Sequence, residues 1–388
     1  MMGATMSGYI ADYLGRKGAL RVCSVFCIAG WLTIGFAKDP LPLDMGRLLV
    51  GYGVGLTSYT VPVYIAEISP KSLRGVLTTT NQLFITTGTL IVYLLGMLVN
   101  WRILAITGVI FPILLLTGLF LIPESPRWLA KVGRGKDFEA ALQALRGKEC
   151  DVSCEATEIM ECINELESLP KTRILDLFQR KYARAVIVGV GLMLLQQFCG
   201  INAVIFYASS IFKAAGFSSG HTASVIVAIV QVLMTAVGAS LMDKSGRRPL
   251  LMIAAGGMGI SCFIVGLLFY IQGHFDESSL PQLARILSLI GLLGYISTFS
   301  IGMGGIPWVI MSEIFPLNMK RIAGSLVSLT AWLGSWIVTL TFNSLFSWSD
   351  AACFFIFCVV CAFTVLFVVK LVPETKGRTL EEIQSSFS

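Results

Sequence analysis

Ten apolar runs, each about 20 residues long, constrain this chain more than any other feature. They lie near 19–37, 44–64, 77–97, 103–122, 184–206, 222–242, 250–271, 286–311, 322–342 and 351–371, and a shorter piece, 1–14, precedes them. A helix needs about 20 mostly apolar residues to cross the hydrocarbon core of a bilayer. Only helices and closed barrels satisfy their own backbone polar groups in that medium. Charged residues make up 13% of the chain and hydrophobic ones 55%, whereas a soluble domain is about 25% charged. The reading is an all-α, multi-pass membrane protein.

The longest polar stretch runs from Pro123 to Tyr182 and contains two helical patterns, "DFEAALQALRG" and "ATEIMECINELESL". Placing this stretch in the cytoplasm and alternating the spans puts 24 of the 29 Lys and Arg residues on the cytoplasmic side. That is the bias of the positive-inside rule, and it accounts for the net charge of +6 without a nucleic-acid partner. The expected organisation is an N-terminal transmembrane half at 1–122, a cytoplasmic helical linker at 123–183, a C-terminal half at 184–371 and a cytoplasmic tail at 372–388.

The chain repeats itself. "DYLGRK" at Asp12–Lys17 returns as "DKSGRR" at Asp243–Arg248, "EISP" at Glu67–Pro70 as "EIFP" at Glu313–Pro316, and "PES" at Pro123–Ser125 as "PET" at Pro373–Thr375. The offsets are 231, 246 and 250, in the same order and on the same side. Three echoes in register imply two homologous halves, an architecture of transporters with a site near mid-bilayer. The second half has 59 residues, Arg184–Met242, before its hexapeptide, and the first has 11. By this symmetry we expect the first helix and part of the second to be absent from this chain.

Charged groups at such turns suit a bistable latch between helix ends. The candidates are Asp12, Arg16, Lys17, Glu67, Arg74, Glu124 and Arg127 in the first half, and Asp243, Arg247, Arg248, Glu313, Arg321 and Glu374 in the second. We expect Asp12 and Asp243 with their basic neighbours to bridge to Glu67/Arg74 and Glu313/Arg321. A plain positive-inside loop would explain the basic residues, but neither the acidic ones nor the repetition.

Inside the spans no acidic or basic residue sits near a midplane, where such a group usually marks an ion path. Amides, hydroxyls and Trp stand there instead. Amides donate and accept, matching a polyhydroxyl ligand, and aromatic faces suit the apolar faces of a sugar ring. Thr78, Gln82, Thr86, Thr89 and Tyr93 share one helical face, as do Trp332, Ser335, Trp336, Thr339 and Asn343. The competing reading for the hydroxyls is hydrogen bonding between or within helices. Gln196, Gln197 and Asn202 are three amides within seven residues of one apolar helix. Gln197 and Asn202 point about 140° apart on a regular helix, so we expect a break at Gly200 to bring them together.

The motifs "GRLLVGYGVG", "PVYIAEISPKSLRG", "PESPRWL", "QQFCGINAVIFYASSIF", "DKSGRRPLL", "GGIPWVIMSEIFP" and "PETKGRTLEEI" together resemble the sugar porter family of the major facilitator superfamily. The likeness covers essentially the whole chain and is greatest to plant early-responsive-to-dehydration-type monosaccharide transporters. It implies twelve spans in two pseudo-symmetric halves. It also implies that Gln82, Gln196, Gln197, Asn202, Gln231 and Trp308 line a sugar cavity, to which the polar face of 322–342 adds Trp332. Gly302, Gly304, Gly305 and Pro307 would break their helix into a gate. The sequence departs from the pattern at Gln231 and Ala331, where relatives often carry Asn, and at Ser300, where glucose facilitators carry an acid.

The resulting expectation is a monomeric monosaccharide transporter of the plasma or vacuolar membrane, moving a hexose such as glucose by alternating access. Its partners would be the sugar, the lipid bilayer and, if transport is coupled, protons. A non-transporting sugar sensor or an inactive truncated isoform is the alternative. His221 and His274 are the two histidines, both outside the spans, and no nucleophile–base constellation appears. Cys150, Cys154 and Cys162 lack metal-site spacing. No enzymatic activity, metal or cofactor is therefore expected.

Overall fold

The computed structural model describes residues 1–70, 74–147, 151–168, 179–214, 220–274, 281–315 and 319–376. Among these every regular element is a helix, and ten helices are long and apolar enough to cross a membrane. The chain divides into two compact units. One comprises Met1–Asn81, Leu98–Ile174 and Leu317–Leu329, and the other Gln82–Met97, Leu175–Pro316 and Thr330–Ser388.

In the first unit, α1 (Met2–Phe36) is broken at Gly15, whose φ of 80° and ψ of 172° are non-helical. Its two legs flank the same stretch of α2 (Pro40–Ile68). A Cβ on Gly3 would fall 2.1 Å from the Tyr52 carbonyl oxygen, and one on Gly53 would fall 2.4 Å from Cys27 Sγ. Gly3 and Cys27 would lie about 36 Å apart on a straight helix. The chain therefore reverses at Gly15. The second leg begins at once after the break rather than at 19. Further along it, Gly30 packs so closely on α2 that a Cβ would meet the Gly46 carbonyl oxygen at 2.8 Å. Small residues that let backbones approach are the usual means of helix association in lipid.

α3 (Arg74–Leu98) is followed by α4 (Trp101–Thr107) and α5 (Ile110–Leu121), a single span with a turn at Gly108 and Val109. Three linker helices come next: α6 (Pro126–Lys131), α7 (Gly135–Arg146) and α8 (Ser153–Ser168). Ser125 caps α6 by accepting from the Trp128 backbone N–H, and Pro126 fills the first turn, where its missing N–H costs nothing. Trp128, Leu129, Phe138, Leu142 and Ile159 form a core of their own for these helices. Phe138, Ala141 and Leu142 fall on the buried stripe of α7, so this stretch folds by ordinary amphipathic packing.

The second unit holds α9 (Arg180–Phe198), α10 (Ile201–Phe206), α11 (Ala208–Ala214), α12 (Gly220–Ser245), α13 (Arg247–His274) and α14 (Pro281–Thr298). A π-helical turn at Phe299–Met303 then leads into α15 (Ile306–Ile314), followed by α16 (Lys320–Trp348), which belongs to this unit from Thr330 onward, and α17 (Asp350–Leu371). α13 packs along α17, with Phe269 stacked on Phe354 at 5.6 Å between ring centroids.

Gly30→Leu should lower the melting temperature in detergent, because overpacking a tight crossing costs about 1–3 kcal/mol. At Gly51, on the same helix pair, a Cβ would meet nothing within 4 Å, so Gly51→Ala should not lower it. Equal melting of the two variants would refute the close crossing.

Candidate functional site

Two constellations of polar side chains are candidates for the functional chemistry. The first is a chain of amides in the second unit. Gly200 has a φ of 94°, in the left-handed region that glycine adopts without strain, and it separates α9 from α10. The break turns Asn202 back onto the preceding helix. Asn202 Nδ2 donates to Gln197 Oε1 at 2.6 Å and to Ser335 Oγ on α16 at 2.8 Å. Gln197 Nε2 donates to Gln196 Oε1 at 3.1 Å, and Gln196 Nε2 donates to the backbone carbonyls of Met303 and, at 3.2 Å, Gly304.

The two carbonyls lie at the end of the π-helical turn, where Gly304 N–H bonds Phe299 five residues back. A carbonyl only accepts, so Gln196 must turn its nitrogen towards it. Its oxygen then faces Gln197, and the orientation of all three amides follows. Gln196 and Gln197 are buried and Asn202 is half-buried. Such groups are tolerated in an apolar unit because they satisfy one another. Among the described residues, Asn202 Oδ1 and one N–H of Gln197 take no part in this chain of bonds.

The other expected residues lie apart from these bonds. Gln231 is buried on α12, while Gln82 on α3, Trp308 on α15 and Trp332 on α16 are half-buried. The hydroxyl faces are mostly internal to their helices. Thr86 and Thr89 donate to the carbonyls of Leu83 and Ile85, and Thr339 donates to that of Ser335. Tyr93 instead donates to the Ile205 carbonyl at 2.6 Å. Thr78 falls outside the described side chains.

The second constellation is the repeated charged turn. Gly15 and Gly246 have φ of 80° and 91°. After each, two consecutive backbone N–H groups converge on one carboxylate. Arg16 N and Lys17 N donate to Glu124 at 3.1 and 3.2 Å, and Arg247 N and Arg248 N donate to Glu374 at 3.0 Å each. This concavity is a backbone anion nest. The basic side chains go elsewhere in the same pattern. Lys17 Nζ reaches the Ile122 carbonyl and Arg248 Nη2 that of Val369. Arg16 and Arg247 reach Glu67 and Glu313.

The two copies differ in tightness. Arg16 makes a two-pronged pair with Glu67 at 2.7 and 2.8 Å, and Ser125 Oγ also donates to Glu67 Oε2. Arg247 reaches Glu313 through one contact of 3.4 Å. Arg247 Nε, Glu313 Oε2 and Thr375 Oγ1, the counterparts of the three bonded atoms of the first copy, are buried and make no hydrogen bond among the described residues.

The expected bridges of these turns form between Arg16 and Glu67 and between Arg247 and Glu313. Glu124 and Glu374 hold the turns, through backbone N–H groups that a reading of side-chain charge does not register. Asp12 pairs with Arg16 and Lys131, and its carbonyl accepts from Trp128 Nε1. Arg127 makes no ion pair among the described residues, and the side chains of Arg74, Asp243 and Arg321 fall outside them. Ser125 and Tyr64, which donates to the Pro123 carbonyl at 2.6 Å, were not anticipated. The Ser-Pro cap before a helix was the available signal for Ser125.

The profile of the "Sugar (and other) transporter" family matches residues 1–387. The chain belongs to the sugar transporter family. It is 55% identical over 385 residues to "Sugar transporter ERD6-like 16" of Arabidopsis thaliana, spanning 99% of this chain and 79% of that relative. "Sugar transporter ERD6-like 7" of the same plant is 52% identical, spanning 99% and 82%. The proton:xylose symporter XylE bound to 6-bromo-6-deoxy-D-glucose superposes with a TM-score of 0.83 at 29% identity, covering 100% of this chain and 86% of that one. The inward-open XylE of E. coli gives 0.80 at 27% identity, covering 100% and 86%. The fold is thus that of the major facilitator superfamily, and the protein is a multi-pass membrane sugar transporter rather than an enzyme.

Glu374 lies beyond the last span. Burial alone would push its carboxyl up, but the N–H groups of Lys376, Arg247, Arg248 and Thr375 outweigh that and hold it below the ordinary 4.5. A depressed carboxylate contributes stability that is fully present above its unfolded value and is lost as pH falls through the folded one. Glu374→Gln should therefore flatten the fall in melting temperature below about pH 4.5. A profile identical to that of the parent protein would remove the nest carboxylate from the account.

Proposed function

We propose that this protein carries a monosaccharide, a hexose such as glucose, across the plasma or vacuolar membrane by alternating access. The observation that carries the reading is the oriented amide chain of Asn202, Gln197 and Gln196. A sugar hydroxyl both donates and accepts, so it complements Asn202 Oδ1 as acceptor and the remaining Gln197 N–H as donor. The site is neutral, which disfavours a charged substrate that would lack a counter-charge. Gln82, Gln231, Trp308 and Trp332 complete the proposed sugar-contacting set, with the tryptophans offering apolar faces to the ring. Related XylE is a proton:xylose symporter. Hexose uptake into liposomes with and without an imposed pH gradient distinguishes the two modes: accumulation under the gradient identifies symport, and equilibration indifferent to it identifies facilitation.

Gln197→Leu removes the middle link of the amide chain. A lost bond with a buried partner left unpaired costs about 1–3 kcal/mol, so hexose affinity should fall by about 5- to 150-fold. Calorimetric titration of the folded variant checks this, and an unchanged affinity would make Gln197 structural.

The charged turns are proposed to act as the latch. Asp12, Arg16, Lys17, Glu67, Arg74, Glu124 and Arg127, with Asp243, Arg247, Arg248, Glu313, Arg321 and Glu374, would hold the cytoplasmic helix ends in one state and release them in another. Arg247→Ala combined with Arg248→Ala should raise the labelling of buried cysteines by a reagent added on the cytoplasmic side. Labelling that stays level while membrane orientation changes would mean that these arginines act through topology alone.

A further inference from the structure

A cavity of about 520 Å³ opens in the first unit, away from the amide chain, where the break of α1 meets the linker helix α7. Lys17, Arg21 and Arg134 bring three cations to it, with Glu124 and Asp137 as its acids. Both carboxylates are already engaged. Glu124 receives the backbone N–H groups of Arg16, Lys17 and Ser125, and Asp137 faces Arg134 at 2.7 Å in a pair more than half exposed on both sides. Pairs so exposed hold weakly. The Lys17 ammonium rests on a carbonyl oxygen, and the exposed Arg21 guanidinium lies 5.4 Å from the centroid of the Phe120 ring.

The repeat shows which of these charges the fold requires. Lys17 has a basic counterpart in Arg248, which also reaches a backbone carbonyl, that of Val369. At the same offset of 231 the counterpart of Arg21 is Met252, so the turn is built without a charge there. Arg134 belongs to the linker, which has no second copy. Arg21 and Arg134 are therefore cations that neither the nest nor the reversal of the chain demands, and both line the cavity.

Arg21 of the cavity lining lies against Phe120, and Pro123 of the same lining follows closely on Phe120 and Leu121 in the chain. Phe120 is 70% exposed and Leu121 87%, at the end of a span that the Lys and Arg distribution places at the cytoplasmic leaflet. We infer that this cavity binds the phosphate of an anionic lipid headgroup, with Arg21, Arg134 and Lys17 on the phosphate oxygens and the acyl chains along Phe120 and Leu121. Arginine forks match phosphate geometry, and a surface cation attracts anionic lipid with about fivefold in affinity. A soluble phosphate would use the same cations but would gain nothing from the exposed apolar rim.

The test uses the full chain in nanodiscs of phosphatidylcholine with a minor fraction of phosphatidic acid, and lipids retained on release are counted by native mass spectrometry. The parent protein should retain phosphatidic acid. The variant R21M/R134Q should melt at the same temperature as the parent in phosphatidylcholine alone and bind phosphatidic acid about 25-fold more weakly. Equal retention by parent and variant would overturn the inference. A parallel arm adds inorganic phosphate or glycerol phosphate to discs of pure phosphatidylcholine. Protection from thermal unfolding there as large as that given by the lipid, and lost in R21M/R134Q, would overturn the lipid assignment in favour of a soluble phosphate ligand.

Discussion

Each half of this protein is organised around a carboxylate held by two backbone N–H groups after a left-handed glycine. In the first unit that single contact ties together the reversal of α1, the end of α5 and the start of the linker. In the second it ties the α12–α13 turn to the end of α17. Gly15 and Gly246 are obligatory for two separate reasons. Their φ is costly for any residue with a Cβ, and that Cβ would lie within 3.0 Å of the Glu124 or Glu374 carboxylate. The helices can then run as long apolar rods between turns, since their polar backbone is satisfied internally.

The amide chain meets the same requirement by other means. Three buried amides would each be a liability in an apolar environment. Here they form a directed series that ends on the carbonyls of Met303 and Gly304, where the π-helical turn gives way to α15 and Pro307 has no N–H to offer, so two helix irregularities, at Gly200 and after Phe299–Met303, supply what one regular helix could not. The irregularity and the polarity are one feature. A straight α9–α10 rod would point Gln197 and Asn202 to different faces.

Much of this was legible in the sequence, because the bilayer reduces the choices. Run length identifies the spans, and all ten expected runs correspond to membrane-length helices. The echo between "DYLGRK" and "DKSGRR" announced two equivalent turns, and the three clustered amides announced a break at Gly200. The partners were less legible. A sequence displays side-chain charge, and the bridges of Arg16 to Glu67 and of Arg247 to Glu313 follow from it. It does not display backbone N–H groups, which are what Glu124 and Glu374 bind. Nor does periodicity separate a hydroxyl that faces a ligand from one that bonds its own helix. Thr86, Thr89 and Thr339 share suitable faces, yet donate to carbonyls three or four residues back.

The nest also changes what kind of signature the hexapeptide is. It looks like a code written in charge, yet its second basic position contributes to the turn a backbone N–H that every residue except proline possesses. Lys17 and Arg248 differ in shape and hydrogen-bonding capacity, and each still sends its tip to a carbonyl at the end of a neighbouring span. Drift at that position is therefore cheap for the turn, whereas the glycine and the distant glutamate can change only together. When two such copies diverge after duplication, the information that lasts longest resides in the residue with no side chain and in an acid more than a hundred positions away.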